Sequence, residues 1–201
     1  MLTKLDAVNR CLRAIGEARI NSLDSGVPDA ADAEALIDET VTEVLGSGWH
    51  FNTEQGVEFE PSSSSSRVVL SKSILSIKGS GRDYYRNFTM RRSGTSTPPH
   101  LYDLDEKTDK FERPVTLSLV RDYSFENIPH PHASYVTARA ARIFQENAMG
   151  SQALDGFTAR QEAEAWARLM DSEAEASGLN ALHDSPTMAL MTHRNQPIGW
   201  R

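Results

Sequence analysis

The 201-residue sequence predicts an α+β fold that is mainly α-helical. We expect a bundle of about four helices, an inserted small antiparallel β-sheet and an extended C-terminal arm. Apolar residues recur at helical spacing near both ends, short alternating segments separated by turn residues fill the middle, and the last residues are apolar without a period. A hydrophobic content of 39% is enough for a buried core, and the length fits one domain with subdomains.

The changes in pattern divide the chain into four parts. Residues 1–56 are predicted to form a helical hairpin of the bundle, and residues 57–121 an inserted β subdomain. Residues 122–178 would supply the helices that complete the bundle, and residues 179–201 a C-terminal docking arm. An apolar tail of this kind is poorly suited to water, so docking on another surface is the alternative to disorder.

The first two helices are predicted over about Thr3 to Glu17, with Thr3 as N-cap, and from Pro28-Asp29 to about Leu45. Gly46 and Gly48 stop the second helix, and the aromatic residues that follow are expected to seal the core. The predicted apolar faces are Leu5, Val8, Leu12 and Ile15 in the first helix, and Ala33, Ile37, Val41 and Val44 in the second.

The middle of the chain predicts short strands joined by turns. A run of five serines, residues 62–66, indicates a loop tip, and Gly and Pro residues mark further turns. Val115, Leu117 and Leu119 alternate with smaller or polar neighbours, which is typical of a half-buried strand. The predicted strands are Arg67–Leu70, Ile74–Lys78, Asp83–Met90, Leu101–Leu104 and Val115–Val120.

Two further helices are predicted after the proline-rich segment at residues 128–132, over about His132 to Ala148 and Leu154 to Ala176. The third helix would bury Val136, Ala140, Ile143 and Phe144. The fourth would bury Ala159, Ala163, Trp166, Ala167, Met170 and Ala174, and would place Glu164 and Arg168 on its solvent side.

Charge is unevenly distributed along the chain. Residues 1–66 contain 4 basic and 12 acidic residues, residues 67–121 contain 11 and 6, and residues 122–201 contain 6 and 10, for a net charge of −7. The basic middle segment interleaves arginines with aromatic residues, which could contact nucleic acid, form a charged outer face of a hairpin, or receive an acidic partner. Its arginines are Arg82, Arg86, Arg91 and Arg92.

Catalytic and ligand-binding patterns are weak. Cys11 is the one cysteine, so we expect a buried free thiol and no disulfide. His130 and His132 lack the further ligands of a zinc site, and nucleotide-binding glycine motifs are missing. We therefore expect no cofactor, no metal and no catalysis, although the many carboxylates leave a glycoside-cleaving pair open. Neither a membrane span nor a signal peptide is expected.

The order of several motifs resembles the tail tubular protein A family of short-tailed, podovirus-type bacteriophages. The motifs are A-x-N-x-x-L-x-x-I-G-E from Ala7, a helix with Asp29, Ala30, Ala33 and Ile37, G-W-x-F-N from Gly48, and L-V-R-D-Y from Leu119 followed by I-P and a helix with A-R-x-F. The stretch from Phe59 to Pro114 departs most from the family.

The resemblance implies an adaptor, or gatekeeper, ring between the portal and a nozzle of tail tubular protein B. The ring would be dodecameric, part of the virion tail, assembled in the host bacterial cytoplasm, and crossed by double-stranded DNA that it does not bind specifically. The arm residues implied to bind the portal or a neighbouring subunit are Leu182, Met188, Leu190, Met191, Ile198 and Trp200. A tail-associated glycan-degrading enzyme and a weak nucleic-acid-binding module are the alternatives.

Overall fold

The computed structural model describes residues 2–92, 94, 97–150 and 152–176, in which the chain forms four α-helices and five β-strands. The predicted α+β, mainly α class is confirmed. The elements are, in chain order, α1 (Lys4–Ala14), α2 (Pro28–Leu45), β1 (Thr53–Phe59), β2 (Ile74–Gly79), β3 (Phe88–Arg91), β4 (His100–Asp103), β5 (Val115–Arg121), α3 (His130–Met149) and α4 (Gln152–Ala176).

Helix α1 begins with a capping box. The Thr3 hydroxyl accepts a hydrogen bond from the Asp6 N–H at 3.1 Å, and the Asp6 carboxylate accepts one from the Thr3 N–H at 3.1 Å, which satisfies two backbone donors at the helix start. The helix ends at Ala14, earlier than predicted, and Gly16 takes a left-handed φ of +85° in the turn that follows.

Helix α3 is the centre of the bundle, because it packs against α1, α2 and α4. Its predicted residues Val136, Ala140 and Phe144 are buried, and Ile143 is half-buried. The face predicted for α2 is fully buried, and in α1 Val8 and Leu12 lie in the core while Leu5 and Ile15 pack at its edge.

The sheet has three antiparallel strands in the order β1-β5-β2, and β3 and β4 form a separate antiparallel pair. Val115, Leu117 and Leu119 of the central strand β5 are buried, as their alternation predicts. Together with Val68, Leu70, Ile74, Leu101 and Phe111 they form a second core, distinct from that of the bundle.

Two strand predictions need correction, and one observed strand is absent from the prediction. Residues 67–70 contribute only an isolated bridge between Val69 and His100. The segment from residue 83 begins as a short 3-10 helix (Gly81–Asp83), so that strand β3 starts only at Phe88. Strand β1 is not predicted at all, and it extends on both sides of residue 56.

The buried face of α4 also differs from the prediction. Ala165 and Leu169 are buried, whereas Trp166 and Met170 remain 42% and 43% exposed and Ala163 and Ala167 are exposed. The buried stripe is therefore rotated by about one residue, or roughly 100° around the helix axis. Helix α4 carries two apolar stripes, and the sequence pattern selects the exposed one.

Asn52 joins the bundle to the sheet. Its fully buried side chain donates to the Leu45 carbonyl at 3.0 Å and to the Arg121 carbonyl at 2.9 Å, and it accepts from the Trp49 N–H at 2.7 Å. These bonds connect the end of α2, the turn that contains Trp49 and Phe51 (the aromatic turn) and the end of β5. Buried polar groups that lose their partner destabilise the folded state.

We expect Asn52→Ala to lower the free energy of unfolding by about 2 kcal/mol, because it removes three hydrogen bonds between a buried side chain and the backbone. Urea denaturation followed by circular dichroism measures the change. Asn127→Ala is the matched control, since Asn127 is exposed and donates only to the Ser124 hydroxyl. Equal losses in the two variants would contradict the assigned role of Asn52.

Candidate interaction surfaces

The basic segment contains a buried ion network centred on Arg86. The Arg86 guanidinium donates to the Asp103 carboxylate at 2.6 and 2.9 Å and lies 3.5 Å from the Asp83 carboxylate. Both carboxylates are fully buried. The guanidinium also lies over the rings of Phe88 and Phe111, 5.1 and 5.9 Å from their centroids.

The remaining oxygens of the two buried carboxylates are satisfied as well. Asp83 accepts from the Arg113 guanidinium at 2.9 Å and from the Thr116 N–H at 3.0 Å. Asp103 accepts from two backbone N–H groups of the turn that follows β4, at 2.8 and 2.9 Å. The network therefore joins β3, β4, β5 and the 3-10 helix into one subdomain, and it is structural.

The other three arginines of the segment are more exposed. Arg82 forms an ion pair with Glu58 of β1 and donates to the Pro114 carbonyl. The Arg91 guanidinium lies 3.3 Å from the centroid of the Tyr102 ring, and Arg92 is exposed just beyond β3. Most of this positive charge is thus used inside the subdomain, which favours a charged outer face of a hairpin over a groove for nucleic acid.

Two adjacent tyrosines project from the same subdomain. Tyr84 and Tyr85 are 74% and 65% exposed, and their rings meet edge to face with centroids 5.7 Å apart. A pair of exposed tyrosines is typical of protein interaction surfaces, because each ring offers a large contact area at a low cost in side-chain entropy.

A second apolar surface lies on α4. Ala163, Trp166, Ala167 and Met170 are exposed there, and the Trp166 ring packs against the rings of Trp49 and Tyr135, with centroids 6.0 and 5.0 Å away. The stripe is therefore held rigidly on the bundle. The six predicted arm residues from Leu182 to Trp200 lie outside the described residues.

The structure does not bring His130 and His132 together at one site. The predicted pair separates, because His130 is exposed at the start of α3 while His132 is buried between the rings of Trp49 and Phe51. His132 instead lies 3.3 Å from the Glu173 carboxylate. In the described part of the chain no cluster of three or more potential ligands is arranged to hold a metal ion.

Glu173, which the sequence does not single out, contacts the aromatic turn through His50. Its Oε1 lies 2.6 Å from the His50 Nδ1. Its Oε2 accepts a hydrogen bond from the backbone N–H of His50, with 3.3 Å between nitrogen and oxygen. Burial lowers the pKa of His132 to about 4, although the nearby Glu173 carboxylate opposes the shift. The end of α4 is thereby attached to the turn that precedes β1.

Cys11 is fully buried in the bundle, as predicted, and burial raises the pKa of its thiol to about 12. A thiol with so high a pKa stays protonated near neutral pH and is a poor nucleophile. None of the helices in the described residues is long and apolar enough to cross a membrane.

Exposed aromatic and apolar surfaces on a folded scaffold are typical of an assembly protein, the class of protein whose role is contact with other proteins. The family model described as tail tubular protein matches residues 5–179, and the chain belongs to that family. It is therefore a structural component of a bacteriophage tail. It is similar to tail tubular protein A of Klebsiella phage KP34, with 29% identity over 136 residues, which cover 67% of each chain.

Proposed function

We propose that the protein is the adaptor, or gatekeeper, subunit of the tail. In this role a dodecameric ring joins the portal to the nozzle, retains the packaged DNA and lets it pass at ejection. Membership of the tail tubular protein family supports a role in the tail, and the proposal assigns the protein one position there. The observation that carries it is the exposed apolar stripe on α4, the helix that leads into the apolar C-terminal residues.

The proposed division of labour follows the order of the chain. The helical bundle supplies a rigid body for the ring, the β subdomain with Tyr84 and Tyr85 faces a second partner, and residues 179–201 dock on the portal or a neighbouring subunit. Docking of an apolar arm exchanges chain entropy for buried apolar surface. The α4 stripe gives the contact an ordered starting point on the bundle.

The net charge of −7 suits the passage of DNA. A ring of many such subunits has a strongly acidic character, and acidic walls repel the phosphate backbone, so that DNA slides through without specific binding. The proposed site of assembly is the cytoplasm of the host bacterium, where tail and portal proteins are made together.

Deletion of residues 180–201 is expected to abolish binding to purified portal rings, because the deletion removes every apolar anchor of the proposed arm. The described helices should remain folded, since none of the deleted residues belongs to them. Sedimentation of mixtures and electron microscopy of capped rings measure the binding, and circular dichroism checks the fold.

Two variants with alanine substitutions in the arm test whether its apolar residues make the contact. Alanine at Leu190, Ile198 and Trp200 removes apolar contact area and should weaken binding at least about tenfold, whereas alanine at Thr192, His193 and Arg194 changes the same arm at polar positions. Portal binding by the deleted chain would refute the arm's role. Failure of the full-length chain to bind portal would refute the adaptor role and would lead to assays of glycan cleavage and DNA binding.

A further inference from the structure

A cleft of about 490 Å³ opens between α1 and α4, with α3 as its floor. Two arginines of α1 line one side, Phe157 forms an exposed lip on α4, and small residues of α3 keep the floor open. The lining residues that matter here are Arg10, Arg13, Ala138, Gln145, Phe157 and Gln161.

The two arginines give the cleft an uncompensated positive charge. Arg10 donates to the Gln161 amide oxygen at 3.1 Å, and Arg13 donates to the Asn9 carbonyl at 3.3 Å. Both acceptors are neutral, and within the described residues neither guanidinium forms an ion pair with a carboxylate. Burial, and then the like charges of Arg13 and Arg168, lower the pKa of Arg10.

The floor of the cleft holds an unsatisfied hydrogen-bond donor. The Gln145 side chain is fully buried, and its Oε1 accepts from the Thr158 hydroxyl at 3.0 Å. Its Nε2 has no hydrogen-bond partner. A buried amide donor without an acceptor destabilises a protein, so an oxygen that enters the cleft would bind favourably there. Two arginines and one amide donor favour a carboxylate as that oxygen.

The chain carries a complementary surface elsewhere on the bundle. A groove of about 460 Å³ between α2 and α3 is lined by Asp29, Asp32 and Glu39 around Leu36 and Phe144. Other acidic residues of α2 are neutralised by Lys4 or Arg139 within the chain. Among the described residues the three groove carboxylates have no basic partner. The groove and the cleft involve different residues of α3, so a single subunit can present both.

We propose that the arginine cleft of one subunit binds the acidic groove of a second copy of this chain. Asp32 and Glu39 would pair with Arg10 and Arg13, a carboxylate would accept from Gln145, and Phe157 would pack against Leu36 and Phe144. A contact between two different surfaces of the same chain repeats head to tail and closes into a ring when the rotation allows. The inference thus deepens the proposed ring function and rests on it.

The test is a charge exchange between the two surfaces. R10E/R13E reverses the cleft and D32K/E39K reverses the groove. Each double variant alone should lose self-association by at least about tenfold, because like charges then face each other. An equimolar mixture of the two should recover it, since both junctions of an alternating assembly are again complementary. Sedimentation velocity of the full chain over a range of concentrations, at about 0.05 and 0.5 M salt, measures the association.

K72E/K78E is the matched control for R10E/R13E, because it makes the same change in net charge at exposed positions of the sheet subdomain. It should associate as the unmodified chain does. A chain that stays monomeric at every concentration, reversed variants that associate normally, or a mixture that fails to recover would each overturn the proposal. Portal binding is measured separately and tests the adaptor role, whereas the charge exchange tests the contact between subunits. The failure of one proposal can therefore be distinguished from the failure of the other.

Discussion

Replacement of Arg86 by methionine is expected to lower the free energy of unfolding by about 3–5 kcal/mol. The substitution keeps an apolar side chain at this position but removes the guanidinium, which lies over the rings of Phe88 and Phe111 and carries the charge between Asp83 and Asp103. Both carboxylates are fully buried, so the variant must either keep an uncompensated buried charge or protonate a carboxyl group. Chemical denaturation near neutral pH measures the loss.

Arg82→Met provides the matched control within the same segment. Arg82 is about half exposed, and so is its partner Glu58, so the loss of this ion pair should cost less than about 1 kcal/mol. The β subdomain should unfold first in Arg86→Met, because the network ties only its elements together. A variant as stable as the unmodified chain would show that Arg86 does not neutralise the two carboxylates.

The second large effect is a loss of stability in mild acid that depends on His132. Its ring is 1% exposed and is packed against the rings of Trp49 and Phe51, and neither ring nitrogen makes a hydrogen bond. Burial lowers the pKa of His132 to about 4 in the folded chain, against an ordinary value of 6.5. Between these values the unfolded chain binds more protons than the folded chain.

The free energy of unfolding therefore contains a contribution from neutral His132 that is complete above about pH 6.5 and is lost as the pH falls toward 4, up to about 3 kcal/mol. His132→Phe removes the titrating group from an aromatic site and should flatten this part of the pH profile. Denaturation curves at several pH values measure the difference in the free energy of unfolding between the variant and the unmodified chain.

His130→Phe is the control for this experiment, because His130 is exposed and lies only two residues away on α3. Its pH profile should match that of the unmodified chain. If His132→Phe kept the full acid dependence, the loss would have to come from other groups, and the buried histidine would not be its origin.

The helices of the N-terminal hairpin are predictable because each has a single apolar stripe. Helix α4 has two, and the helical spacing of its apolar residues selects the exposed one. Glu162 lies on the buried side, where its carboxylate forms ion pairs with Arg139 and Arg142 of α3 at 3.2 and 3.1 Å. Sequence spacing within α4 cannot reveal neutralisation by another helix.

The basic segment also depends on contacts between distant residues that local sequence does not reveal. Its arginines and aromatic residues are visible in the sequence, but Asp103, the partner of Arg86, lies 17 residues away on strand β4. Nothing local distinguishes the buried Asp103 from an exposed aspartate. Strand β1 escapes prediction because Gly56, with a φ of +72°, interrupts its pattern where the register with β5 shifts. Non-local pairing decides these features.

The order of elements also has a consequence for synthesis on the ribosome. Helices α1 and α2 are made first, but their common partner α3 begins 85 residues after α2 ends, between Leu45 and His130. At about 5–20 residues per second this delay lasts about 4–17 seconds. Formation of the three-stranded sheet is also delayed, because its central strand β5 is the last of the five strands to be translated. A nascent chain stalled before residue 115 thus exposes the apolar sides of both unfinished cores, and chaperones would find their binding sites there.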